Sequence, residues 1–146
     1  MKFYIFFILL FTFFSKFSFG GLVVHNHSNY DVNYSLFGHT SSQPCGTYQS
    51  GNSIIAFGDD IANLHNTFMD SSPFWYYYQN GSTNQTVSPP SATAIWDYIK
   101  FWSYNGPCIV AGSVGNGCSG TSNIYSANCL SLIWSSNSNG PRVDIY

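Results

Sequence analysis

The side chains in this chain best suited to chemistry are aromatic rings, concentrated on two short stretches. Phe74-Trp75-Tyr76-Tyr77-Tyr78 is aromatic throughout. Ala92 to Trp102 carries Trp96, Tyr98, Lys100 and Trp102 at every second position. Read as a strand, that alternation puts these four on one face and Ile95, Asp97, Ile99 and Phe101 on the other. Flat rings with hydroxyls and one ammonium can stack on the apolar faces of sugars while polar groups take the sugar hydroxyls. The same rings suit a bilayer interface, and they also serve as sandwich core or cross-strand pairs. The expected function is non-enzymatic recognition of carbohydrate or another cell-surface component. Trp96, Tyr98 and Trp102 lead the candidate platform, with Trp75 and Tyr77 next. Membrane association or pore formation on the same rings is one alternative. A structural coat or matrix role, with the rings as core, is another.

The other reactive groups point nowhere as definite. His25 and His27 are two apart, so a strand puts both on one face at metal-ligand spacing, with His39 and Asp31 or Asp59 to complete a site. Polar residues around a turn need no metal to explain them, and no metal or cofactor is expected. Asp59 and Asp60 are adjacent, so neither a strand nor a helix makes them a facing acid/base pair. Asp70 adds a carboxylate without a calcium-loop ladder. No Gly-x-Ser-x-Gly occurs, and Gly112-Ser113-Val114-Gly115-Asn116-Gly117 lacks the Lys-Ser/Thr of a phosphate loop. No catalytic residue, and no enzyme activity, is expected.

Charge and cysteine usage narrow the class. Lys2, the apolar run Phe3 to Phe14 and the small-residue end Ser18-Phe19-Gly20 have the layout of a signal peptide. The expectation is a signal peptide over 1–20 and one secreted domain over 21–146. Beyond residue 20 the cations are Lys100 and Arg142, against six aspartates and no glutamate. Two cations cannot neutralise a phosphate backbone, so nucleic acid is excluded as a partner, and charge does not drive binding to anionic lipid. Ser and Asn must cover the surface. Sequons at Asn26, Asn33, Asn80 and Asn84 are expected glycosylation sites. Cys45, Cys108, Cys118 and Cys129 read as two disulfides with three possible pairings. Closing the polar loop between them favours Cys118–Cys129, which leaves Cys45–Cys108. A zinc site is the weaker reading, for no Cys-x2-Cys pair occurs.

These groups need elements to hold them. Gly, Asn, Ser and Pro interrupt the chain about every eight to twelve residues, and the intervening segments are rich in Val, Ile, Tyr, Phe, Trp and Thr. The expected fold is an all-β, disulfide-stabilised sandwich or barrel of short antiparallel strands. Strands are expected at Leu22 to Asn26, Val32 to Phe37, Ile54 to Phe57, Phe74 to Tyr78, Ala92 to Trp102, Cys108 to Ala111, Cys129 to Trp134 and Val143 to Tyr146. Ile61, Leu64, His65 and Phe68 have helical spacing behind an aspartate cap, so one short helix near 60–69 is expected. The opening Val23-Val24-His25-Asn26-His27-Ser28-Asn29-Tyr30-Asp31-Val32 resembles the first hairpin of thaumatin-like proteins and of cytolysins of the actinoporin and aegerolysin types. The resemblance implies a secreted sandwich and carries over no site residue.

Overall fold

Short β-branched and aromatic runs between Gly and Asn turns form strands because their side chains pack well only on a pleated surface. The computed structural model describes residues 21–57, 63–65, 75–79, 82–87, 95–137 and 140–146. The expected signal peptide over 1–20, Asp59, Asp60, Asp70 and Asn80 lie outside the described residues. The strands are β1 (Leu22–Asn26), β2 (Val32–His39), β3 (Tyr48–Ser50), β4 (Ser53–Ile55), β5 (Asn63–His65), β6 (Trp75–Gln79), β7 (Ser82–Val87), β8 (Ile95–Asn105), β9 (Cys108–Gly115), β10 (Ile124–Ala127), β11 (Leu130–Asn137) and β12 (Gly140–Ile145). No helix occurs among the described residues. Where a helix was expected, residues 63–65 pair antiparallel with β1, Val23 opposite Leu64. An open edge on β1 offered hydrogen bonds that outweighed a weak local helical pattern.

Two sheets result. One runs β10-β11-β12-β1-β5; the other runs β7-β6-β3-β2-β8-β9, with β4 also paired to β2. Strands β1 and β12 are parallel. The inner faces meet in one core. Leu22, Val24, Leu132, Trp134, Val143 and Ile145 come from the first sheet; Tyr34, Leu36, Ile99, Phe101 and Val114 come from the second. Each fully buried side chain of this kind contributes about 1.5–3 kcal/mol.

Two disulfides complete the sandwich, but not in the expected pairing. Cys45 bonds Cys118 and Cys108 bonds Cys129, with Cα atoms 5.5 and 5.6 Å apart. Strand β9 explains the difference. Its eight residues carry the chain roughly 23 Å away from Cys108, at about 3.3 Å per residue, before the bend that holds Cys118. The chain then returns along β10, which carries Cys129 back towards Cys108. The polar loop after Cys118 is therefore no closed local ring, since part of it is a strand.

One irregularity governs the site. Between β2 and β8, Phe37 faces Tyr98 and Gly38 faces Trp96, so Asp97 has no partner across the ladder. This bulge shifts the alternation by one residue. Tyr98, Lys100 and Trp102 stay on the outer face of the sheet, whereas Trp96 turns in against the core.

Candidate functional site

The bulge breaks the expected aromatic platform. Trp75 is fully buried, and Trp96 packs against it. Tyr98 is only 9% exposed, and its ring stacks on Phe37 with centroids 4.5 Å apart. Tyr77 is half-buried, edge-on to Tyr48 at 5.4 Å. These four rings serve packing. Burial first, then the Tyr78 and Asp97 charges, push the Tyr98 phenol well above its ordinary value of 10.0. Burial, then Tyr77, raises Tyr48 likewise.

A pH prediction follows from the sign of these shifts. An unfolded chain releases its phenolic protons near pH 10, while the folded chain keeps them, so stability holds below about pH 10 and falls above it. An alkaline titration should show part of the phenolate absorbance appearing only as near-ultraviolet circular dichroism is lost. Complete titration with native dichroism intact would contradict the buried placement.

Trp102, itself half-buried, is the candidate that lines an open groove. Beside it on the outer face runs a groove of about 470 Å3 lined by Ser35, Gln49, Asn52, Lys100, Trp102, Tyr104 and Ser113, among others. The register explains this. Ser35, Lys100 and Ser113 form one row across β2, β8 and β9, and Asn33, Trp102 and Ala111 form the next. Tyr104 continues the alternation and is 65% exposed. Ser35 Oγ donates to Asn52 Oδ1 at 2.8 Å, which fixes the amide at the groove. Lys100 Nζ donates to Tyr78 Oη at 2.6 Å and lies over the Phe37 and Tyr78 rings, 5.0 and 4.4 Å from their centroids. The ammonium is thereby held beside the groove instead of ranging through solvent. The polar members Ser35, Gln49, Asn52 and Ser113 were not singled out from the sequence, although the outward alternation of Asn33 and Ser35 was a usable signal.

The sequons separate by burial. Asn26 is fully buried, and its side chain is bonded on both sides. Its Nδ2 donates to the carbonyls of Tyr30, Ile55 and Ala56; its Oδ1 accepts from Ser28 N and Ser28 Oγ. A glycan on that amide is incompatible with this fold, which corrects the expected acceptor. Asn33 is half-buried and directly faces Trp102. Asn84 sits at an extra residue of β7, opposite the Tyr77–Tyr78 step.

The histidines also divide. Strand β2 carries His39 roughly 26 Å along the sheet from the turn after β1, at about 3.3 Å per residue. There its Nδ1 lies 2.8 Å from the fully buried carboxylate of Asp97. Cys45 is close enough to suggest a third ligand, but its sulfur is committed to Cys118. Asp31, the other expected partner, accepts from Phe57 N instead. His25 and His27 meet Asp144 on the far sheet. Burial pushes the Asp144 carboxyl up, but the hydrogen bonds and charge of Arg142, with His27 and His25, outweigh it and hold the carboxyl below its ordinary value.

Fold and site define a disulfide-bonded all-β sandwich with an open aromatic groove on one outer face. No protein-family model, curated protein or solved structure matches this chain. The two disulfides indicate an oxidising environment. No helix among the described residues is long and apolar enough to cross a membrane.

Proposed function

We propose that this is a secreted, non-enzymatic recognition protein that binds carbohydrate in the groove over β2, β8 and β9. The observation that carries the reading is the lining. The Trp102 and Tyr104 rings lie beside four uncharged hydrogen-bonding side chains and one tethered ammonium. That composition matches a sugar, which has apolar faces for rings and hydroxyls for amides and serines. The groove residues include no carboxylate, imidazole or thiol, which supports binding over catalysis. A glycan on Asn33 would lie across Trp102, its cross-strand neighbour, so the binding-competent protein carries Asn33 bare.

The test is co-sedimentation of the secreted full chain with insoluble cellulose, with chitin and with neutral liposomes. An Asn33→Gln variant is run beside it, to remove any glycan from the groove. Pelleting with a polysaccharide is expected. Trp102→Ala should weaken that binding about tenfold, equivalent to about 1.4 kcal/mol, with circular dichroism and melting nearly unchanged. Unchanged pelleting of Trp102→Ala, or no pelleting of Asn33→Gln with either polysaccharide, would sink the reading.

A second reading has one observation of its own. Ile54, Phe57, Tyr104 and Ile109 are each at least 64% exposed. Tyr104 pairs with Ile109, and both Phe57 N and Ser103 Oγ bond to Asp31, so these side chains gather at one end of the sandwich. An apolar tip of this kind suits a lipid interface. Pelleting with liposomes alone, undiminished by salt, is the outcome that would favour it. Remaining in the supernatant throughout would favour a structural role.

A further inference from the structure

The outer face of the other sheet carries a convergent set of donors that the groove does not use. Strands β1 and β12 run parallel with His25 beside Asp144. His27 is two residues on, so it shares the face of His25. Asp144 Oδ1 lies 3.4 Å from His27 Nε2 and 3.8 Å from His25 Nδ1. One donor atom from each of the three residues fits within 4.8 Å of the others. A tetrahedral metal with bonds of about 2.0–2.1 Å holds its ligands about 3.4 Å apart, so two edges of such a site already have nearly the right length. Two imidazoles and a carboxylate are a donor set for divalent transition metals of borderline softness.

A cation already lies against this set. Arg142 Nη2 is 2.6 Å from Asp144 Oδ1 and 3.0 Å from His25 Nδ1. Arg142 Nε also donates to both Asp144 oxygens, at 2.9 and 2.7 Å. Accepting from Arg142 uses the same Nδ1 lone pair that a metal would take. The guanidinium therefore blocks two of the three donors. Its side chain is 39% exposed, which leaves it room to swing outward. His27 does not bond Arg142 here; its ring stacks on Tyr146, centroids 5.2 Å apart.

The geometry points to a divalent transition-metal site formed by His25, His27 and Asp144, held closed by Arg142. A metal enters by displacing the guanidinium, with water in the fourth position. The site rests on β1 and β12 and is independent of the carbohydrate reading.

The test is calorimetric titration of the untagged, secreted full chain with zinc. Wild type is compared with Arg142→Gln, His27→Ala and the Arg142→Gln/His27→Ala double variant. Arg142→Gln should bind one zinc at least tenfold more tightly than wild type. The double variant should lose that gain, and His27→Ala should melt within a few degrees of wild type. Histidine ring proton resonances should move in Arg142→Gln on adding zinc, which locates the metal without reference to stability. The proposal is overturned if Arg142→Gln binds zinc no more tightly than wild type, or if binding survives loss of His27.

Discussion

Asn26→Ala is expected to destabilise the protein by about 4 kcal/mol, since each buried polar group stripped of its partner costs about 1–3 kcal/mol. That is a large share of the roughly 5–15 kcal/mol that holds a domain together. The side chain is fully buried where the β1–β2 turn meets the end of β4. The Ile55 and Ala56 carbonyls lose this donor in the variant, whereas the Tyr30 carbonyl keeps the one from Ser28 Oγ. Ser28 N loses its acceptor, and Ser28 Oγ is left with the Tyr30 carbonyl alone. Asn26→Asp makes the sharper test, because it keeps the shape and the acceptor but turns a carboxylate oxygen towards the three carbonyls. It should be no better tolerated than alanine. Urea denaturation measures both. A loss under about 1 kcal/mol in either variant would mean that the amide is not the hub of this turn. Mass spectrometry of wild type produced in a secretory host should also find Asn26 without a glycan.

The second large effect is expected at the bulge. Asp97 is fully buried, and its carboxylate accepts from Gly46 N at 2.7 Å and faces His39 Nδ1. Its backbone carbonyl accepts from Asn116 N and Gly117 N at 3.2 and 3.0 Å. One residue thus anchors both loops joined by the Cys45–Cys118 bond. Asp97→Ala leaves the Gly46 N–H without its acceptor and should cost about 3 kcal/mol. Asp97→Asn retains a carbonyl oxygen for Gly46 and should cost less. Pairing Asp97→Ala with His39→Ala should give less than the sum of the single losses, with a coupling of about 1 kcal/mol or more. Strict additivity would show that the two side chains do not work as a pair. Gly117→Ala gives an independent check, because a Cβ there overlaps the Asp97 side chain and its Cα. It should destabilise the protein with Asp97 intact.

Much of the architecture was legible from residue types. The expected strands over Leu22 to Asn26 and Val32 to Phe37 match β1 and most of β2, with Asn- and Gly-containing turns between strands. These signals are local: period-two burial and turn chemistry act within a few residues. Four cysteines likewise announced two disulfides. Their pairing was not local. It depended on β9 separating Cys108 from Cys118 and on β10 returning the chain, and neither is written in the spacing.

The site divides along the same line. The sequence by itself determined that rings, amides and hydroxyls would dominate this protein, and that two cations beyond residue 20 would leave little charge to steer a partner. It also marked Trp102 as a candidate. Only the tertiary structure decided which rings face outward. A single extra residue at Asp97 reverses the alternation, so Trp96 joins the core while Lys100 and Trp102 remain outside. Only the parallel pairing of the first and last strands could bring Asp144 to His25 and His27. The physical reason is the same in each case. Strand periodicity fixes which neighbours share a face, but a bulge, a long-range register or a burial partner comes from contacts between residues far apart in the chain. Asn26 is the clearest instance: a surface sequon by its sequence, and a buried five-bond hub once β4 closes over it.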